Sequence, residues 1–474
     1  MLIMPGMSPL TLLGSANQFD FYQFQTQLNS VQLYEVLRGP GSFILQSSPQ
    51  LSAQSRFDFL GIGQIFEGDW SEFEKKFSNF KNEVFETMPG PLKNILDEIP
   101  FVGGYLIELD YDAVYQFEKK LNKLAQIKAD SVFKMIQVET LLVIDHQKNT
   151  NYLIENSNSK KQTSTSLQKL LTAYAQNDPL YPQSYQQDKD VNFAVVTTKN
   201  EYLSRYSQIM DYISAGDIFQ CNYSVEFKKI HRGDPFQIYK NLRAINPSPF
   251  AAYVEFNNPL ISCSPERLFK VDAHRNILTR PIAGTRPITG TDHEDQKHEQ
   301  DLVLSDKEQA EHLMLIDLER NDLGRICKTG TVIVDEKMTV EKYSHVQHLV
   351  SNVSGVLEDG INMIQIFKAL FPGGTITGVP KIRCMEIIHE MELKPRGAYC
   401  GALGYLDVRG LMDFNILIRT MTAYKNKSEF EMVFRAGSGI VADSVGEQEF
   451  LECLQKAKAL AKALGVEQIE SYAK

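Results

Sequence analysis

The pattern of hydrophobic and polar positions changes texture along the chain's 474 residues. Up to about Val191, aromatic-rich runs with strand character are mixed with polar stretches. Residues 135–145 (MIQVETLLVID) alternate and then run apolar, which predicts a half-buried strand. Residues 149–161 and 177–190 are rich in Asn, Ser, Gln and Lys and predict surface loops or linkers. The second of these is the best boundary, dividing an N-terminal region, 1–190, from a second unit, 191–474.

Beyond the boundary the pattern is more regular. Residues 199–215 predict an amphipathic helix with Tyr202, Tyr206, Ile209 and Ile213 on one side. Strands are predicted over 220–227, 250–255, 260–262, 331–334, 401–407, 414–420, 429–436 and 439–442, and a charged helix over 293–318. A final helix opens on a capping box, Ser444-Val-Gly-Glu447, and continues to Gly465. Strands interrupted by helices without strict βαβ alternation predict the α+β class.

Composition narrows the function classes. The chain is 43% hydrophobic and 23% charged with a net charge of −10, an ordinary globular balance. Its acidity argues against a nucleic-acid partner, because phosphate neutralisation needs a basic face. An anionic small molecule needs only a few local Arg and Lys. Residues 1–14 are apolar but lack a basic start, and no later segment approaches the roughly 20 apolar residues of a membrane span, so the expected compartment is the cytoplasm. The six cysteines (Cys221, Cys263, Cys327, Cys384, Cys400, Cys453) lie far apart without CxxC spacing, and are read as buried thiols.

Several constellations could carry chemistry. Glu449, Glu452 and Lys456 share one face of the last helix, with Phe450, Leu451, Leu454 and Leu460 available for the buried side. Two carboxylates one turn apart suit a hard cation such as Mg²⁺, and the lysine suits a substrate carboxylate; solvated surface decoration is the alternative. Ala436-Gly-Ser-Gly439 is either a nest of backbone amides for a carboxylate or a tight turn. The glycine-rich stretch 371–381 (FPGGTITGVPK) resembles a phosphate loop, but Val379 and Pro380 stand where its Lys and Ser or Thr belong, and Pro380 more naturally opens a helix at its first position. His345 and His348, three apart, lack the companions of a metal motif. Glu266 follows an apolar run in Ser264-Pro-Glu-Arg267, and Glu311 lies in the charged helix. No GxSxG nucleophile elbow is present. These features alone describe an α+β enzyme with an acidic metal site.

At the same residues the chain resembles the chorismate-utilising family, which includes anthranilate synthase component I, aminodeoxychorismate synthase component I and the isochorismate and salicylate synthases. The resemblance runs from about 191 to 464 through ordered blocks: GDIFQ (216–220), SPERLF (264–269), PIAGTRP (281–287), AEHLMLIDLERNDLGR (310–325), YSHVQHLVS (343–351), FPGGTITGVPKIRCMEII (371–388), GALGYLD (401–407) and GSGIVADS (437–444). It implies large antiparallel sheets flanked by helices. It further implies that Glu311 and Glu452 hold Mg²⁺, with Glu449 direct or through water, and that Thr285, Tyr399, Arg419, Ser438, Gly439 and Lys456 line the chorismate pocket. By the same resemblance Glu266 is the general acid for the departing C4 hydroxyl, and His348 is the histidine near the ring.

The resemblance also bears on the member. Water-using relatives carry a lysine base at the position of Gln220; a neutral glutamine favours ammonia. Phe219-Gln-Cys-Asn222, Ser264-Pro-Glu-Arg267, 371–377, Cys400 and Ser55-Arg-Phe-Asp58 favour 4-amino-4-deoxychorismate, the 4-aminobenzoate and folate precursor. Ala283 and Tyr343–His348 stand against this, Ala283 because enzymes making that product carry a lysine there that attacks C2; anthranilate synthase is the runner-up. Residues 43–48 with Ser55–Asp58 resemble a tryptophan-site wall, assigning Ser47, Arg56 and Phe57 to one side and Pro249 and Phe250 to the other; a simple buried strand is an equally good reading of Phe43–Gln46. Gln46 replaces that pattern's glutamate. With no cysteine in a G-x-C-x-G elbow, ammonia is expected from a separate glutamine amidotransferase subunit. A non-catalytic chorismate-binding homologue would have lost the carboxylates that are present here.

Overall fold

One long strand organises the architecture. In the computed structural model, which describes residues 10–47, 56–83, 90–124, 131–157, 192–342 and 346–473, Phe133–Asp145 pairs along its length with Phe57–Gly68. Its other edge is shared, first by Gly104–Leu109 and then by Thr150–Asn156. Burial of every residue but Lys134, Gln137 and Glu139 makes this strand central rather than half-exposed.

Two antiparallel wings grow from this junction. One passes through Ser42–Gln46, Phe250–Val254, Leu260–Ser264, Thr420–Asn426 and Glu429–Val441 to Gln220–His231. The other passes through Ala402–Asp407, Met412–Ile416, Arg267–Val271 and Asn276–Thr279 to Val346–Val356. Ile282–Pro287 and Ile333–Lys342 both pair with this last strand. Strands from either side of residue 190 are thus direct neighbours, Ala251 opposite Gln46 and Asp407 opposite Gly104. Helices Lys199–Ser214, Pro235–Ile245 and Gly446–Ala463 pack on the first wing. The α+β expectation agrees with this arrangement.

Several local expectations change. Residues 150–156, placed within a surface loop, form a strand, because Tyr152, Leu153 and Ile154 are buried between two neighbours. The charged helix divides into Asp292–Leu304 and Asp306–Gly324, since Ser305 is extended and its hydroxyl accepts the Glu308 amide as an N-cap. Residues 429–436 and 439–442 are one strand, Glu429–Val441, and Gly437 and Gly439 continue its ladder with Ser224 and Asn222 instead of forming a turn or nest. Conversely, 414–420 breaks between Ile416 and Thr420, where Arg419 takes the left-handed conformation (φ 53°).

The last helix begins at Gly446 with Val445 as its uncapped boundary, so no Ser444–Glu447 box forms. Ser444 donates to Glu449 Oε1 at 2.7 Å, and Glu447 pairs with Lys199 at 2.8 Å. Leu451 is 53% exposed, while Phe450, Leu454 and Leu460 are buried. Pro380 is the N-cap of Lys381–Met391, one position before that expected. All six cysteines are free and buried, as read. No described helix is long and apolar enough to cross a membrane. Residues 177–190, Ser55 and His345, together with the side chains of Ala283 and Thr285, lie outside the described part.

Candidate active site

The site is built where a sheet edge opens. Strand Thr420–Asn426 accompanies Glu429–Val441 only as far as Phe434, whereas Gln220–His231 follows it to Val441. The edge beyond Phe434 therefore presents backbone groups without a partner strand among those described, and such groups need another partner. Lys456 Nζ donates to the Gly437 carbonyl at 3.1 Å and pairs with Glu452 Oε1 at 2.7 Å. Arg419, turned by its left-handed backbone, donates to the Lys456 carbonyl.

Alternation along the strand decides which groups face the site. Gly437 and Gly439 share a face with Asn222 and Gln220. A Cβ on Gly439 would lie 2.5 Å from Gln220 Nε2; one on Gly437 would lie 2.7 Å from both Asn222 Oδ1 and the Tyr399 hydroxyl. The glycines thus make room for two amides and a phenol. Ser438 points to the opposite face, where its hydroxyl bonds Tyr202 at 2.9 Å beneath the last helix. Its side chain is therefore not on the Gln220 side, although the sequence grouped it with the pocket residues. Tyr399 is buried, with the Arg396 guanidinium 5.5 Å from its ring.

Glu266 follows strand Leu260–Ser264 and is 6% exposed. Burial is the largest influence on its carboxyl and pushes it up to about 7, aided by nearby Glu319; Thr375, whose hydroxyl donates to Oε1 at 2.8 Å, and Lys456 oppose the shift. A carboxyl in this range can still carry a proton at neutral pH, as a general acid must. Glu319, on helix Asp306–Gly324, is raised to about 7, again chiefly by burial and then by Asp322, with Lys381 opposing. His348 on Val346–Val356 has Nδ1 3.4 Å from the Gly284 carbonyl; burial lowers its pKa, so the ring is neutral at pH 7. The Thr285 backbone lies opposite His348 and that of Ala283 opposite Leu349.

Glu449 and Glu452 sit one turn apart on the last helix, and Glu452 is half-exposed. Glu311 lies on helix Asp306–Gly324, beside the buried His312. Among the described residues no three His, Cys, Asp or Glu groups converge into a ready-made cage. The donors are nonetheless carboxylate oxygens, the chemistry that fits a hard divalent cation.

The N-terminal wall residues also converge. Ser47, Arg56, Phe57, Pro249 and Phe250 all line one cavity of about 720 Å³ between the wings. Arg56 is held by Asp145 at 2.7 Å, and Arg267, bonded to Asp413 at 2.8 Å, lies over the Phe250 ring. The Gln46 amide is engaged at both ends, donating to Ser30 and Asp58 and accepting from Tyr239.

Residues 43–462 match the profile of the chorismate binding enzyme family. The chain belongs to that family. An anthranilate synthase component I-like protein from Synechocystis is 44% identical over 382 residues, covering 78% of this chain and 75% of that protein. Aminodeoxychorismate synthase component 1 of Bacillus subtilis is 38% identical over 375 residues, covering 78% and 79%. The crystal structure of anthranilate synthase component I from Streptococcus pneumoniae matches with TM-score 0.71 at 30% identity, covering 91% of this chain and 97% of that one. This chorismate-utilising enzyme therefore has the anthranilate synthase component I-like fold.

Three residues of this chorismate-binding enzyme were not singled out by the sequence. Glu319 had a readable signal: His312, Ile316, Glu319 and Leu323 recur at helical spacing and are all buried, placing a carboxylate on the inner face. Asn222 shares Gln220's face by strand alternation. Thr375, inside the glycine-rich loop, gave no local sign that its hydroxyl would reach Glu266.

Proposed function

We propose that this chain aminates chorismate with ammonia at C4, giving 4-amino-4-deoxychorismate. The observation that carries the reading is a buried carboxyl held near neutrality, Glu266, in the site that also contains the neutral amide of Gln220. Lys456, Arg419, Thr285, Tyr399 and the Gly439 backbone bind the substrate's carboxylates and oxygens. Glu311 and Glu452, with Glu449, would hold Mg²⁺, which supplies neutralisation of the ring carboxylate as the double bonds shift.

In the reacting step a C–N bond forms from the ammonia lone pair while the C4–O bond breaks. The departing oxygen takes the Glu266 proton and leaves as water; the new ring ammonium then gives up a proton, which restores the acid. Gln220 cannot accept a proton, so it holds the nucleophile side neutral and leaves water unactivated. His348, neutral and beside the ring, orients substrate without adding charge. Ammonia comes from a separate glutamine amidotransferase subunit, because no G-x-C-x-G cysteine is present.

A second reading is favoured by Ala283, which offers no amine for attack at C2, and by the relatives bearing anthranilate synthase names. In that reading ammonia enters C2 and pyruvate is eliminated. Liquid chromatography–mass spectrometry after incubation with chorismate, Mg²⁺ and ammonium separates the two. An aminated product that keeps its enolpyruvyl group, and that a separate lyase converts to 4-aminobenzoate, is expected. Anthranilate with released pyruvate would overturn the C4 assignment.

A further inference from the structure

We infer that Gln220 and Asn222 together form the receiving site for ammonia. The inference rests on the amination reading above and holds for either ring position. Strand Gln220–His231 puts the two side chains two residues apart on the face they share with Gly439 and Gly437, Asn222 lying opposite Gly439 and Gln220 opposite Val441. Asn222 is 7% exposed, and both Asn222 Oδ1 and Gln220 Oε1 are buried oxygens without a hydrogen-bond partner. Two orphaned acceptors side by side are costly, because each forfeits a bond it would make in water. A small donor between them would remove that cost.

Ammonia has the matching chemistry. It donates one N–H to each carbonyl oxygen and keeps its lone pair for attack on carbon. Water could make the same two bonds, but neither amide can take its proton, so it would remain a poor nucleophile. The backbone of Asn222 is pinned on both sides, its N–H donating to the Thr377 carbonyl at 2.9 Å and its own carbonyl accepting from Arg396 at 2.7 Å. Tyr399 closes the same corner, its hydroxyl and Asn222 Oδ1 both crowding the point where a Gly437 Cβ would stand. The Asn222 acceptor is therefore preorganised, so binding need not order it.

The test is steady-state kinetics with ammonium chloride as nitrogen source at constant ionic strength, varying ammonium and chorismate separately. Asn222→Leu and Asn222→Ala should raise the KM for ammonium at least tenfold while the KM for chorismate stays within about twofold. Asn222→Asp, which keeps an acceptor of the same shape, should hold the ammonium KM within about threefold, and serves if the apolar variants fail to fold. Unchanged ammonium KM in the Leu and Ala variants, or equal rises for both substrates, would overturn the inference; so would a tenfold rise in Asn222→Asp. Absence of any nitrogen-containing product from the unmodified chain would instead strike the amination reading itself and the inference with it.

Discussion

At Glu266, burial opposes ionisation more strongly than Thr375 and Lys456 favour it, which leaves the carboxyl near 7 instead of its ordinary 4.5. A carboxyl raised in the folded state contributes stability that is complete below about pH 4.5 and lost as pH rises through about 7. The full excursion is worth about 3 kcal/mol. Glu266→Gln should therefore flatten the fall of melting temperature between pH 5 and 8, without abolishing it, since Glu319 titrates in the same direction. The same variant should lose roughly 10²–10⁴-fold in amination rate, with chorismate binding retained by calorimetry. A rate within tenfold of the parent would remove Glu266 as the acid. Gly439→Ala tests the neighbouring wall. The added carbon meets only the flexible end of Gln220, so the fold should survive while misplacement costs on the order of 10²-fold in rate. A rate unchanged within twofold would show that Gln220 needs no exact seat.

At the scale of elements, two serines that look alike in sequence do different work. Ser305 caps helix Asp306–Gly324, so Ser305→Ala should cost about 1 kcal/mol in chemical denaturation. Ser444 caps nothing; its hydroxyl holds Glu449. Ser444→Ala should leave global stability within about 0.5 kcal/mol and weaken Mg²⁺ dependence of turnover, measured as a rise in the half-saturating Mg²⁺ concentration. The reverse pattern, a stability loss at Ser444 and none at Ser305, would contradict the boundaries. Elements whose periodicity matched their burial were readable: 199–215 as a helix and 135–145 as a strand differ from the structure by two residues or fewer. The failures share one cause, tertiary pairing overriding local signals. The glycines at 437 and 439 suggest a turn, yet the whole length of Gln220–His231 holds them in a ladder. Residues 150–154 lie in a stretch that looks polar, yet two flanking strands bury them.

On the whole molecule, the site belongs to neither wing alone. Gln220, Asn222, Gly437 and Gly439 come from one wing, His348 from the far end of the other, and Glu266 from the turn after Leu260–Ser264 that leads into Arg267–Val271. No window of sequence could assemble these groups, which is why Asn222 and Thr375 showed no role of their own although both lie within motifs, while Glu319 was legible only as a buried helix position. On the proposed reading, their convergence sets an acid that can remain protonated beside a nucleophile pocket that cannot deprotonate water. The most direct measurement of that claim is double isotope labelling: chorismate and Mg²⁺ incubated with ¹⁵N-ammonium in ¹⁸O-water, with products resolved by mass spectrometry. A ring product carrying one ¹⁵N and no ¹⁸O is expected. A hydroxylated product carrying ¹⁸O in place of nitrogen would contradict that claim.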